Sequence, residues 1–248
     1  MIRVGVGGWT FPPWRGVFYP PKLPHAHELH YASRALAAIE VNGTFYGSQK
    51  PETFRKWASE TPDGFVFSLK ALRFAVNRKV LAEAGESMAR FANSGIAELG
   101  PKPGPILWEF AGTKRFEADE FAAFLKLLPK HAAGLPLRHV PEPRHASFDE
   151  PAFRSMACDA RAAVVFADSE DYPNLGAEPT ADFTYARLQR STDIATGYEP
   201  AVLDDWAATA REWARPRGQI ERDVFIFFIS GEKARNPAAA MGLIERLS

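Results

Sequence analysis

The sequence predicts an α/β fold, a single (β/α)8 barrel of the TIM type spanning residues 1–248. Three observations carry the prediction. Eight short apolar, β-rich runs recur along the chain, segments with helical spacing separate most of them, and 248 residues suits such a barrel. A doubly wound open sheet is the competing arrangement on pattern alone. No Gly/Ser linker, charge block or short repeat divides the chain, so one domain is expected.

The strand candidates, in order, are IRVGVGG (2–8), AIEVN (38–42), FVFSLK (65–70), PILWEF (105–110), LRHVPE (137–142), AAVVFAD (162–168), FTYARL (183–188) and VFIFFIS (224–230). They are rich in Val, Ile, Phe or Leu and too short for helices. PETFRKWASE (51–60) opens on Pro51, suited to a first helical turn, and puts Phe54 and Trp57 on one face. Residues 80–99, 119–130, 150–160, 202–214 and 236–247 behave similarly, and the Pro/Gly-rich stretches 11–24, 100–105 and 141–151 read as ordered loops.

A barrel keeps its reactive groups at the C-terminal ends of its strands, and residues two apart share a strand face. In AIEVN, Ile39 and Val41 then pack against helices while Glu40 and Asn42 point into the barrel mouth. Lys70 ends its run, Glu109 nearly ends PILWEF, and Glu142 and Arg144 share a face after LRHVP. Asp168 ends its run, Arg187 and Gln189 share a face, and Ser230 ends the last. Lone buried charges are costly, so these groups must pair with one another or with a ligand.

Thirty basic residues balance thirty acidic ones, so no overall field draws the chain to nucleic acid or an anionic membrane. Mean hydropathy is −0.23, with no apolar run long enough to span a bilayer and no charged-then-apolar leader at MIRVGVGGWTF. A cytoplasmic location is expected. The single cysteine, Cys158, excludes an internal disulfide and reads as a small buried hydrophobe in MACDARAA.

The residues now in hand resemble the domain-of-unknown-function 72 (YecE-like) family of TIM-barrel proteins. The matching motifs are GGWTFPPWRGVFYP (7–20), EVNGTFYGSQKPETFRKWASETPDGFVFSLK (40–70), LGPKPGPILWEF (99–110), EPRHASF (142–148), FTYARL (183–188) and VFIFFISGEKARNPAAA (224–240), with the Asp168 strand end. The resemblance implies a barrel but brings no assigned reaction. Three positions depart from the family pattern. Glu109-Phe110-Ala111 stands where Gln-Phe-Pro is usual, Gln189-Arg190 where His-Gly is usual, and Ile229-Ser230 where the last strand ordinarily ends in Asn. The departures imply an altered ligand or a branch that has lost the shared chemistry.

The chemistry open to these residues is acid–base. Glu40, Glu142, His145 and Asp168 are the catalytic candidates, and Lys70, Arg144 and Arg187 can clamp a carboxylate or phosphate. Trp9, Asn42, Tyr46, Glu109, Gln189 and Ser230 complete the expected binding set, with Trp9 and Tyr46 as stacking surfaces. The expected ligand is a small anionic molecule, phosphorylated or sugar-like, acted on by a hydrolase or isomerase. The bland alternative is an internal ion-pair network that binds nothing. Nucleic-acid binding or processing, or non-catalytic ligand sensing, are the other readings, and the net charge does not favour the first. No organic cofactor is evident. A divalent metal on Glu40, Glu109, Glu142, Asp168 and His145 is conceivable, although only His145 of six histidines falls clearly at a strand end. EKARNP (232–237) offers Lys233 and a helix N-terminus to an anion. No nucleophile elbow or Gly-rich phosphate loop occurs. Oligomeric state is left open.

Overall fold

Short strands joined by long crossovers pair in parallel, and eight do so here. In the computed structural model, which describes residues 1–248, they are β1 (Ile2–Gly7), β2 (Ala38–Val41), β3 (Val66–Lys70), β4 (Pro103–Glu109), β5 (His139–Glu142), β6 (Phe166–Asp168), β7 (Phe183–Leu188) and β8 (Asp223–Phe228). Their spatial order is β5-β4-β3-β2-β1-β8-β7-β6, so β1 pairs with β8 and joins the two ends of the chain. The barrel expected from the sequence is present.

The ring closes between β5 and β6 through two backbone bonds, Ala163 N to His139 O at 3.0 Å and Val165 N to Pro141 O at 3.1 Å. In a regular parallel ladder the carbonyls of Ala163 and Val165 would accept from residues 141 and 143. Both are proline, which has no N–H to give. The seam is therefore half-bonded by sequence.

Helices α1 (Glu28–Ala35), α2 (Pro51–Glu60), α3 (Gly85–Ala92), α4 (Ala118–Leu127), α5 (Pro151–Asp159) and α6 (Pro200–Trp213) lie in six of the seven crossovers, that from β6 to β7 carries none, and α7 (Asn236–Leu247) follows β8. Four helices, α2, α5, α6 and α7, place proline in the first turn. The sequence reading did not include α1, whose ELHYASRA is mostly polar with only Leu29, Ala32 and two polar residues buried. The single long helix expected over 80–99 is the eight-residue α3 between 3-10 turns at Leu81–Glu83 and Ile96–Leu99. Gly95, at φ 113, leads into the second of these turns, and a Cβ there would stand 2.7 Å from the Pro51 Cα.

Period-2 alternation separates two apolar clusters. Ala38, Val66, Leu107, Val140, Val165, Ala167, Tyr185, Phe225 and Phe227 fill the lumen. Val4, Val6, Ile39, Val41, Phe67, Leu69, Ile106, Trp108 and Ile226 pack outward against the helices. At the N-terminal end, Asp223 accepts from Arg3 at 2.9 Å and Arg138 at 2.8 Å, with Arg138 lying over Phe225. No helix is long and apolar enough to cross a membrane. Cys158, expected to be buried, is exposed on α5, because the buried stripe of that helix runs through Phe153 and Ala157 instead.

Candidate functional site

The same alternation that fills the lumen decides which strand-end residues meet. Ala38 faces inward, so Glu40 does too; Val66 is followed inward by Ser68 and Lys70, Leu107 by Glu109, Val140 by Glu142, and Tyr185 by Arg187. These side chains converge at the C-terminal mouth. Three carboxylates and three cations, from five strands and the turn after β5, form one network.

Arg187 is its centre and is almost wholly buried. Its Nη1 lies 2.7 and 2.6 Å from the two oxygens of Glu142 and 3.2 Å from Glu109 Oε2, and its Nη2 donates to Glu40 Oε1 at 3.1 Å. Glu40 Oε2 accepts from Tyr185 at 2.7 Å, and the Tyr185 hydroxyl is 2.7 Å from Ser68 Oγ. Glu109 Oε2 also receives Lys70 Nζ at 2.7 Å and Arg144 Nη2 at 2.6 Å. Arg144 lies over the Tyr172 ring, whose hydroxyl donates to Glu142 Oε1 at 2.8 Å and meets the Gln189 amide. Lys70 Nζ sits 4.4 Å from the centre of the Phe45 ring. Thr44 Oγ1 binds Val41 O and Lys70 O, tying the ends of β2 and β3 together.

Burial alone would raise the Glu109 carboxyl, but Arg187, Lys70 and Arg144 outweigh it and hold its pKa down at about 2. Burial disfavours the charged form of Arg187, yet Glu142, Glu40 and Glu109 raise its pKa well above the ordinary value, so it stays charged. Burial and the Glu142 charge raise Tyr172, and burial and the Glu40 charge raise Tyr185, so both hydroxyls remain donors. Three positive charges against three negative ones leave the mouth neutral.

Lys70, Glu40, Glu109, Glu142, Arg144, Arg187 and Gln189 are thus brought together. The other candidates lie apart. Ala163, Val165 and Ala167 line the lumen, so Asp168 falls on the opposite face of β6, where it pairs with Arg190 at 3.3 Å. Burial raises its carboxyl. Ser230 contacts Ser191 and donates to Asn236 Oδ1 at 2.5 Å, at the start of α7. His145 Nδ1 accepts from Ser147 N at 3.0 Å and caps the turn Ala146–Phe148, with Nε2 toward Arg115. Trp9 packs edge-on to Trp57 in a groove with His25, Leu29 and Lys56. Tyr46 is 69% exposed at the rim against Phe45. Asn42 fills the space beside Gly7, whose Cβ would come within 3.0 Å of the amide nitrogen. Lys233 lies over Phe11, and its carbonyl accepts from Trp14 at 2.6 Å.

Sequence reasoning missed Tyr172, Tyr185 and Ser68. Tyr185 and Ser68 carried a usable signal, since each precedes an inward charged residue by two positions. Tyr172 carried none, because it lies in the helix-free crossover after β6. No three His, Cys, Asp or Glu side chains gather in a metal-ligating group. A groove of about 730 Å³ lies away from the mouth, lined by Arg138, His139 and Phe183 at the N-terminal ends of β5 and β7.

The family model for "Protein of unknown function DUF72" matches residues 3–248. A 71-residue segment is 34% identical to UPF0759 protein YunF of Bacillus subtilis (strain 168), covering 29% of this chain and only 24% of that protein. Over its full length the chain superposes on a DUF72 family protein from Thermotoga maritima (TM-score 0.78, 20% identity, 99% of that chain). It also superposes on one from Enterococcus faecalis (TM-score 0.77, 17% identity, 95% of that chain). SacUVDE shares the fold at a TM-score of 0.59 and 10% identity, with 100% of this chain and 98% of that one covered.

Proposed function

The chain belongs to the DUF72 family of proteins of unknown function, and from that premise we propose that its barrel mouth binds a small polar molecule, sugar-like or phosphorylated, for acid–base chemistry of the hydrolase or isomerase kind. One observation carries this reading. Arg187 Nε and Arg144 Nε are buried without any partner, while no carboxylate oxygen of the network is both fully buried and unpartnered. A network with spare buried donors and no spare buried acceptors is matched by a ligand rich in acceptors, such as hydroxyls or phosphate oxygens.

Glu142 and Glu40 are the acid–base pair in this reading. They share Arg187, so a proton taken up by one is felt by the other through a single guanidinium. Tyr172 and Tyr185 each hold one oxygen of the pair, which fixes the carboxylates for proton transfer. Arg144, the most exposed cation of the network at 27%, is the group best placed to meet a ligand first.

The test is a calorimetric and thermal-shift survey of sugars and sugar phosphates against the wild type, Glu142→Gln and Arg144→Ala. A ligand held by the wild type and weakened in both variants supports the reading; binding that neither substitution changes sinks it. Retention of an oligonucleotide at low salt, lost as salt rises, would favour a nucleic-acid role instead.

A further inference from the structure

Glu109 is held differently from the other two carboxylates. Glu40 and Glu142 each share their oxygens between a cation and a tyrosine hydroxyl. Glu109 offers one oxygen, Oε2, to three cations: Arg144 at 2.6 Å, Lys70 at 2.7 Å and Arg187 at 3.2 Å. Each of the three also has a contact besides Glu109. Arg187 is anchored by Glu40 and Glu142, Lys70 rests on Phe45, and Arg144 rests on Tyr172. Without the Glu109 charge, three cations would face two carboxylates and the mouth would carry one net positive charge. Glu109 itself stands toward the rim, its side chain 14% exposed, with water within reach if it turns outward.

We propose that Lys70, Arg144 and Arg187 form a seat for one oxyanion, a carboxylate or phosphate group, and that Glu109 fills this seat in the free protein as an internal competitor. The ligand's anionic group enters as the Glu109 carboxylate swings to solvent. Glu109 thereby sets how strongly anionic the ligand must be, and a neutral ligand binds without touching the seat. This rests on the mouth being a ligand site.

The experiment compares Glu109→Gln with the wild type, titrating inorganic phosphate and, separately, acetate by calorimetry at low ionic strength. The amide keeps the shape of the side chain and removes the charge. Affinity for at least one of the two anions is expected to rise on the order of tenfold or more, and Arg144→Ala added to Glu109→Gln is expected to abolish the gain. Equal or weaker binding of both anions by Glu109→Gln overturns the seat. If Glu109→Gln does not fold, Glu109→Asp, whose shorter arm withdraws the carboxylate, is expected to show a smaller gain, and no gain there overturns it too. Failure here alongside Glu142-dependent binding of a neutral sugar removes the seat and leaves the mouth reading intact. Anion gain without any Glu142-dependent ligand keeps the seat, and the mouth as a ligand site, and removes the acid–base reading.

Discussion

Mild acid is expected to loosen this fold through His139. The residue opens β5 with its ring buried on the outer side of the strand. Trp108 Nε1, which can only donate, gives its hydrogen to His139 Nδ1 at 3.0 Å. The ring proton must then sit on Nε2, which donates to Pro129 O at 2.8 Å. Both nitrogens are satisfied in this one neutral tautomer, and a second proton on Nδ1 would face the Trp108 N–H. Burial accordingly pushes the His139 pKa from 6.5 down to about 4, against a smaller opposing effect of the Pro129 carbonyl. In the unfolded chain the ring takes up its proton near the ordinary value, so between those two values the unfolded state binds more protons. The stabilisation is complete above 6.5 and is lost as pH falls toward 4, a total of about 3 kcal/mol at roughly 1.4 kcal/mol per pH unit. Urea unfolding of the wild type and His139→Gln checks this, because glutamine offers a donor and an acceptor but does not titrate. The wild type is expected to lose about 2.5 kcal/mol more than the variant between about pH 7 and pH 4.5. Parallel losses in the two proteins would refute the reasoning.

Arg187→Ala leaves the Glu142 carboxylate and one oxygen of Glu40 without their main partner, and a loss of about 3–5 kcal/mol is expected from thermal unfolding. Lys102 Nζ caps the end of α2 through Ala58 O and Thr61 O, both at 2.6 Å. Lys102→Met is expected to cost about 1–3 kcal/mol by urea unfolding. A Cβ at Gly176 would fall 2.2 Å from the Val165 carbonyl oxygen, so Gly176→Ala is expected to lower stability by at least about 1–3 kcal/mol in the same assay. Exposed Cys158 is expected to react with a thiol reagent in the folded protein without denaturant, counted by mass spectrometry.

The strands and the polarity of their faces were legible because alternation is a local property. Ile39 against Glu40 is enough to assign both, and the lumen bears this out. Asp168 shows the limit of that reading. It stands at a strand end, but its inward or outward direction follows from the parity of Ala163 and Val165, a matter of how β6 meets its neighbours. Tyr172 was beyond the sequence because a crossover without a helix has no period to read. His139 was not singled out in the sequence, since only the packed structure shows Trp108 and Pro129 on either side of it. The neutral mouth was illegible for the same reason: charges at separate strand ends reveal their pairing only once the ring brings them together.

The half-bonded seam between β5 and β6 also determines where this ring can be cut. The chain's two ends are fastened by a continuous register from Ile2 opposite Val224 to Val6 opposite Phe228, whereas the weak junction lies in mid-sequence, beside α5. New termini opened in the α5 crossover would therefore sacrifice less backbone bonding than a break between β8 and β1. Two fragments divided there would each carry an intact run of the ladder and one half of the β1–β8 joint, which is the arrangement a split protein needs in order to reassemble from its pieces.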